Sequence, residues 1–146
     1  MNTVKVRDIE IGAGAPKIIV PIVGVTKEDI IEEAKTFDTI PVDVVEWRAD
    51  WFEDVFNTEK VIATAKELQN LLQDIPVLFT FRTSREGGEK EISPKDYAAL
   101  NIAVADSGYV DLIDVEAFTG DEIVTAIITR AHDAGVKVIA SNHDFF

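Results

Sequence analysis

Residues 3–11, TVKVRDIEI, set apolar Val4, Val6, Ile9 and Ile11 among charged neighbours, an imperfect alternation that predicts an exposed strand or hairpin. Glycines and a proline in GAGAP (12–16) then interrupt the pattern. The run IIVPIVGV (18–25) is apolar throughout and reads as a strand buried on both faces, although Pro21 favours an edge or a bulge because it lacks a ladder donor. Thr26 is placed to cap a helix over 27–36, with Glu28 and Asp29 in its first turn. The same pairing recurs. VDVVEWRAD (42–50) predicts a strand and 58–73 an amphipathic helix carrying Val61, Ile62, Ala65, Leu68, Leu71 and Leu72. PVLFTFRT (76–83) is a strand, and Ser93-Pro94 opens a helix to about Ser107. YVDLIDVEAF (109–118) is a strand, 121–134 a helix closed by Gly135, and VKVIASNH (136–143) a last strand. Helices between strands mean a parallel sheet of about five strands with helices outside, an α/β fold.

Composition narrows the function classes. The 146 residues are 47% hydrophobic, enough for a core, and the formal charge of −13 repels phosphate backbones and anionic membranes. No nucleic-acid or membrane partner is therefore expected. The absence of cysteine excludes a disulfide scaffold, a thiolate metal site and a cysteine nucleophile. No signal-like apolar region follows the first charges, and no apolar run approaches the roughly 20 residues of a transmembrane helix. A cytoplasmic location is expected.

Charged residues gather where each strand ends. Glu46 and Arg48 share a face, Asp114 and Glu116 share a face, Arg82 ends its strand and His143 ends the last one. Ligands bind at the carboxyl ends of parallel strands, and ionisable groups there cost desolvation unless partnered or employed. Each residue also has a plainer reading. Glu46 and Arg48 would serve as a rim ion pair, Arg82 would snorkel, Asp114 and Glu116 would cap a helix or orient basic neighbours, and His143 would be a satisfied core or loop histidine. The convergence of four strands on one rim favours a polar pocket. Glu46, Asp114, Glu116 and His143 have metal-binding chemistry, but the two arginines among them oppose a cation, and no metal is expected. The Glu86-Gly87-Gly88-Glu89 run follows a strand without being a dinucleotide or P-loop motif, since a phosphate there would meet two carboxylates.

The segments PKIIVPIVG (16–24), VEWRAD (45–50), LFTFRTSREGGE (78–89), IDVEAF (113–118) and SNHDF (141–145) together resemble the type I 3-dehydroquinate dehydratases of the shikimate pathway. The likeness runs in order over nearly the whole chain. It implies a (β/α)₈ TIM barrel that dehydrates 3-dehydroquinate to 3-dehydroshikimate through an imine on a lysine, with no cofactor. It also implies His143 as general acid/base, Glu86 as the group that orients it, and Glu46, Arg48 and Arg82 as the substrate grip. An iminium is an electron sink for the carbanion left by deprotonation, and an imidazole moves protons both ways near neutral pH.

The family's lysine lies on a later strand, and none of the nine lysines here ends a core strand; Lys137 begins one. Pro21 stands where some members carry serine. A full barrel takes about 250 residues. The expectation is therefore a single partial, half-barrel-like unit over 1–146 with an amino-terminal hairpin or strand segment at 1–15. Its bare edges would be covered in a homodimer or by a complementing carboxyl-terminal half. The chain alone is expected to be inactive. The alternatives are a non-catalytic binding or assembly module that keeps the pocket, and an open flavodoxin-like sheet.

Overall fold

A computed structural model describes residues 4–7, 9–11 and 17–142. Strands β1 (Val4–Val6) and β2 (Ile9–Ile11) form the antiparallel hairpin expected from the alternation, with Val4 opposite Ile11 and Val6 opposite Ile9. Five further strands follow: β3 (Ile19–Ile22), β4 (Val44–Arg48), β5 (Val77–Thr80), β6 (Leu112–Glu116) and β7 (Lys137–Ser141). They pair in chain order, β3-β4-β5-β6-β7, and every pairing is parallel. The connections are helices α1 (Lys27–Lys35), α2 (Thr58–Leu72), α3 (Pro94–Ser107) and α4 (Asp121–Asp133). No described helix is long and apolar enough to cross a membrane.

Local chemistry accounts for the helix boundaries. The Thr26 hydroxyl accepts the Asp29 N–H at 3.1 Å while the Asp29 carboxylate accepts the Thr26 N–H at 3.4 Å, a reciprocal cap. Ser93 accepts the Asp96 N–H at 3.1 Å, and Pro94 occupies the first helical position, where no N–H is needed. Asn57 caps α2 in the same way through Lys60 N–H.

Alternate residues of each central strand face opposite layers. Val45 and Trp47, Val77 and Phe79, and Ile113 and Val115 pack with Ile30, Val61, Leu68, Tyr97, Val104 and Ile127 of the helices in one extended core. Trp47, Phe79 and Phe52 meet as tilted and edge-on rings, and all three are essentially inaccessible. Burying each such side chain stabilises the fold by roughly 1.5–3 kcal/mol. On the opposite face, Val44, Leu78 and Leu112 form a second cluster with Val6 of the hairpin and the half-buried Ile139. The hairpin thus covers the amino-terminal end of the face that the helices leave free. Arg7 holds it there, its Nε and Nη2 donating to the two oxygens of Asp111 at 2.9 and 3.1 Å and its Nη1 to the Gln73 carbonyl.

One strand departs from its expected environment. The apolar run at 18–25 is not buried on both faces. β3 is an edge, Ile19 is 45% exposed, and within the strand Ile22 alone is fully buried. Pro21 is tolerated because, among the described residues, no strand pairs with the outer side of β3. Past the strand, Gly24 lies tight against α1, where an added Cβ would come within 2.6 Å of Ile30 N.

Candidate active site at the carboxyl ends of the parallel strands

The free face changes character between one layer and the next. On β4, Val44 is followed on the same side by Glu46 and Arg48; on β5, Leu78 by Thr80 and, just past the strand, Arg82. On β6, Leu112 is followed by Asp114 and Glu116, and Ile139 of β7 by Ser141. The parallel register sets Arg48 beside Thr80 and, further along, Glu116 beside Ser141, so polar groups of four strands gather at this end of the sheet.

Arg82 is the centre of the cluster and is buried. Its Nη1 donates to Asp114 Oδ2 at 3.1 Å, Glu116 Oε2 at 3.2 Å and Ser141 Oγ at 3.0 Å, and lies 4.0 Å from Glu86 Oε1. Ser141 in turn donates to Asp114 Oδ2 at 2.8 Å. Thr83 completes Glu116, giving its N–H to Oε2 and its hydroxyl to Oε1 at 2.9 and 2.6 Å. Thr80 donates its hydroxyl to Glu46 Oε2 at 2.8 Å. Behind the cluster, the Tyr97 hydroxyl accepts the Glu116 N–H and donates to the Asp114 carbonyl, and burial pushes its ionisation well above the ordinary tyrosine range.

Arg48 is oriented by a bidentate pair, Nε and Nη2 donating to Asp50 Oδ1 and Oδ2 at 3.0 and 2.9 Å. That bond raises the Arg48 pKa further, against the opposing effect of burial. Asp114 moves upward too: burial is the larger cause, only partly offset by Arg82 and Ser141, and Glu46 and Glu116 push in the same direction as burial. Five carboxylates (Glu46, Asp50, Glu86, Asp114, Glu116) thus surround two guanidiniums. Among the described residues no group of three or more acidic or histidine side chains is arranged to hold a metal ion. A cavity of about 470 Å³ is lined by Thr83, Glu116 and Tyr97 on the cluster's side, while neither Arg48 nor Arg82 lines it.

With this geometry in place, the type I 3-dehydroquinase family model matches residues 18–146. The chain belongs to the type I 3-dehydroquinase family. It is 51% identical over 143 residues to the 3-dehydroquinate dehydratase of Clostridium botulinum, covering 98% of this chain and 56% of that protein. Against the Salmonella choleraesuis dehydratase it is 48% identical over 145 residues, covering 99% and 58%. It superposes with a TM-score of 0.96, at 50% identity, on the crystal structure of type I 3-dehydroquinate dehydratase from Clostridium difficile carrying covalently modified comenic acid. That match covers 98% of this chain and 56% of the other. The Enterococcus faecalis dehydratase gives 0.94 at 41% identity, covering 97% and 59%. This member of the family therefore spans little more than half the length of these relatives, and its five strands are an incomplete (β/α)₈ barrel.

In this member of the family, Glu46, Arg48, Arg82, Asp114 and Glu116 converge on one rim, as their positions at the strand ends suggested, and Glu86, which the resemblance alone singled out, lies beside Arg82. His143 lies outside the described residues. The plainer readings are corrected in two cases. Glu46 is hydrogen-bonded to Thr80, while the close ion-pair partner of Arg48 is Asp50. Arg82 does not snorkel, because two carboxylates and a hydroxyl hold its head group under cover. Asp114 and Glu116 do orient a basic neighbour, and that neighbour is Arg82. The reading of strand-end charges missed Asp50, which lies past the end of β4, and the hydroxyls of Thr80, Thr83 and Ser141. Thr80 lies two residues before Arg82 and Ser141 two before His143, so the period-two rule that singled out the charges also reaches these hydroxyls. The EGGE run owes its glycines to packing. Gly87 has φ 88°, and a Cβ on Gly88 would stand 1.7 Å from the Arg82 carbonyl oxygen.

Proposed function

We propose that this chain forms the histidine-bearing side of a 3-dehydroquinate dehydratase site, within one half-barrel unit. Support comes from the Arg82-centred cluster at the carboxyl ends of β4–β7, in a chain 51% identical to a dehydratase. In this reading Glu46, Arg48 and Arg82 hold the hydroxyls of the substrate and position its ring. Arg48 is suited to the task because Asp50 occupies only its Nε–Nη2 edge, which leaves Nη1 to meet a ligand. His143 removes the proton next to the imine carbon and then protonates the departing hydroxyl, and Glu86 orients the imidazole and supports its cation. The lysine that forms the imine must come from elsewhere, because Lys137 begins β7 and no other lysine ends a parallel strand.

Two features favour a partner. Among the described residues β3 and β7 each have a single neighbour in the sheet, and Ile18, Ile19, Val23 and Val25 expose an apolar margin along β3. The rim also carries more carboxylates than cations, so an anionic substrate requires further positive groups facing Arg82. A complementing segment or a second copy answers the first need, and a lysine-bearing segment answers both.

The test is dehydroshikimate formation, followed by its ultraviolet absorbance, with borohydride to trap any imine. The chain by itself is expected to show neither turnover nor a trapped adduct. Adding the carboxyl-terminal remainder of the Clostridium difficile relative should restore turnover, and His143→Ala should abolish it. Turnover by the isolated chain would overturn the assignment of the lysine to a partner. Failure of every combination, alongside quinate binding that depends on Arg48, would favour a non-catalytic binding module.

A further inference from the structure

Asp50 is fully inaccessible to solvent, and its pairing with Arg48 is only part of its hydrogen bonding. A buried carboxylate is costly unless each oxygen is satisfied. Here four N–H donors from three places satisfy it. Arg48 supplies Nε and Nη2, the backbone N–H of Arg82 reaches Oδ1 at 3.2 Å, and that of Glu89 reaches Oδ2 at 3.1 Å. These donors belong to the end of β4, to the first turn past β5, and to the far side of the loop that carries Glu86.

The grip is returned. Lys90 Nζ donates to the carbonyls of Asp50 and Phe52 at 2.6 and 3.0 Å, so the loop holds the short turn Ala49–Trp51 while the carboxylate of that turn holds the loop. The loop is itself stiff. The Thr83 carbonyl accepts N–H bonds from Glu86 and Gly88 at 3.0 and 2.8 Å, and Ser84 N–H donates to the Lys90 carbonyl at 2.9 Å. With Gly88 pressed on the Arg82 backbone, Arg82 and Glu86 are bound to move as one body. The groups on that body and the Arg48 fork have Asp50 in common.

We propose that Asp50 is the positioning residue of this site. It orients the Arg48 fork and, through the amides of Arg82 and Glu89, sets the Glu86 loop at a fixed distance from β4. The choice of ligand rests on the dehydratase reading, whereas the positioning does not.

Nitrogen-15 NMR of the full chain, with quinate as the probe ligand, separates the two. In the wild type the Arg48 Nε–H should be a shifted, slowly exchanging signal; a free-arginine signal overturns the proposal whatever becomes of any variant. In Asp50→Asn that signal should collapse toward free arginine. The Arg82 and Glu89 amides should exchange about tenfold faster with the Val45 amide unchanged, and quinate affinity should fall about tenfold. Unaltered exchange and an unaltered Arg48 signal would overturn the proposal. So would wild-type quinate affinity beside loosened amides, since the contact would then be structural only. Arg48→Met should remove quinate binding while the Arg82 and Glu89 amides stay protected. If the wild type ignores quinate, the Arg48 and amide signals still decide the role of Asp50, and the dehydratase reading is decided separately by turnover with the complementing segment.

Discussion

The two ends of the free face of the sheet are built from the same strands, a few residues apart, and they are closed by opposite means. At the amino-terminal end Val44, Leu78 and Leu112 are apolar, and the chain covers them with its own hairpin through Val6. At the carboxyl-terminal end Arg82, Asp114 and Glu116 are buried by one another and by Thr83 and Ser141. The first end is non-directional and tolerant of shape; the second depends on every donor finding its acceptor. The contrast shows where the fold has placed stability and where it has placed chemistry.

The strongest way to break this contrast is to remove the cation that organises the polar end. Arg82→Met should cost about 3–5 kcal/mol in urea unfolding, because Asp114 and Glu116 then stand buried without a counter-charge. It should also abolish quinate binding. At the other end Leu112→Ala should cost about 2–4 kcal/mol through lost burial and a residual cavity, with quinate affinity intact. Equal loss of binding in both variants would show that the two ends are not separable. Arg7→Ala should cost about 1–2 kcal/mol, less than either, because the Arg7–Asp111 pair is partly exposed and partly screened. The exchange of the hairpin amides should report that change first.

The smallest effect is a pH trend. Burial holds the Asp114 carboxyl above its usual value, so the folded chain prefers its protonated form. Stability drawn from that preference is present at low pH and is lost as pH rises through the raised value. Asp114→Asn has no such loss. The variant should therefore gain on the wild type in unfolding free energy as pH rises above the ordinary carboxyl range. A difference that stays flat, or that moves toward the wild type, would refute the shift and its cause.

Much of this was legible before any coordinates. Helices α1 to α4 were expected within a residue or so, because caps such as Thr26 and Ser93-Pro94 are local chemistry. The convergence of Glu46, Arg48, Arg82, Asp114 and Glu116 followed from strand ends and period two. Less legible were the exposure of β3, which depends on what lies beside a strand rather than on its own residues, and the partners of each charge. Asp50 sits two residues past β4, where the backbone leaves the strand period, and its donors at Arg82 and Glu89 are more than thirty positions away. No local pattern encodes such a meeting.

One feature of the sheet bears on how the chain reaches this state. Because strand order follows chain order, each strand pair closes a stretch of about 25–35 residues, and assembly can proceed by zipping one strand–helix unit onto the last. Arg7 and Asp111 are the exception, separated by 104 positions. Their pairing bears the full entropic cost of a long loop and gains little until β6 is in place. The hairpin is thus the natural late event of folding, a latch that closes after the rest has formed and the first contact to open when the fold is strained.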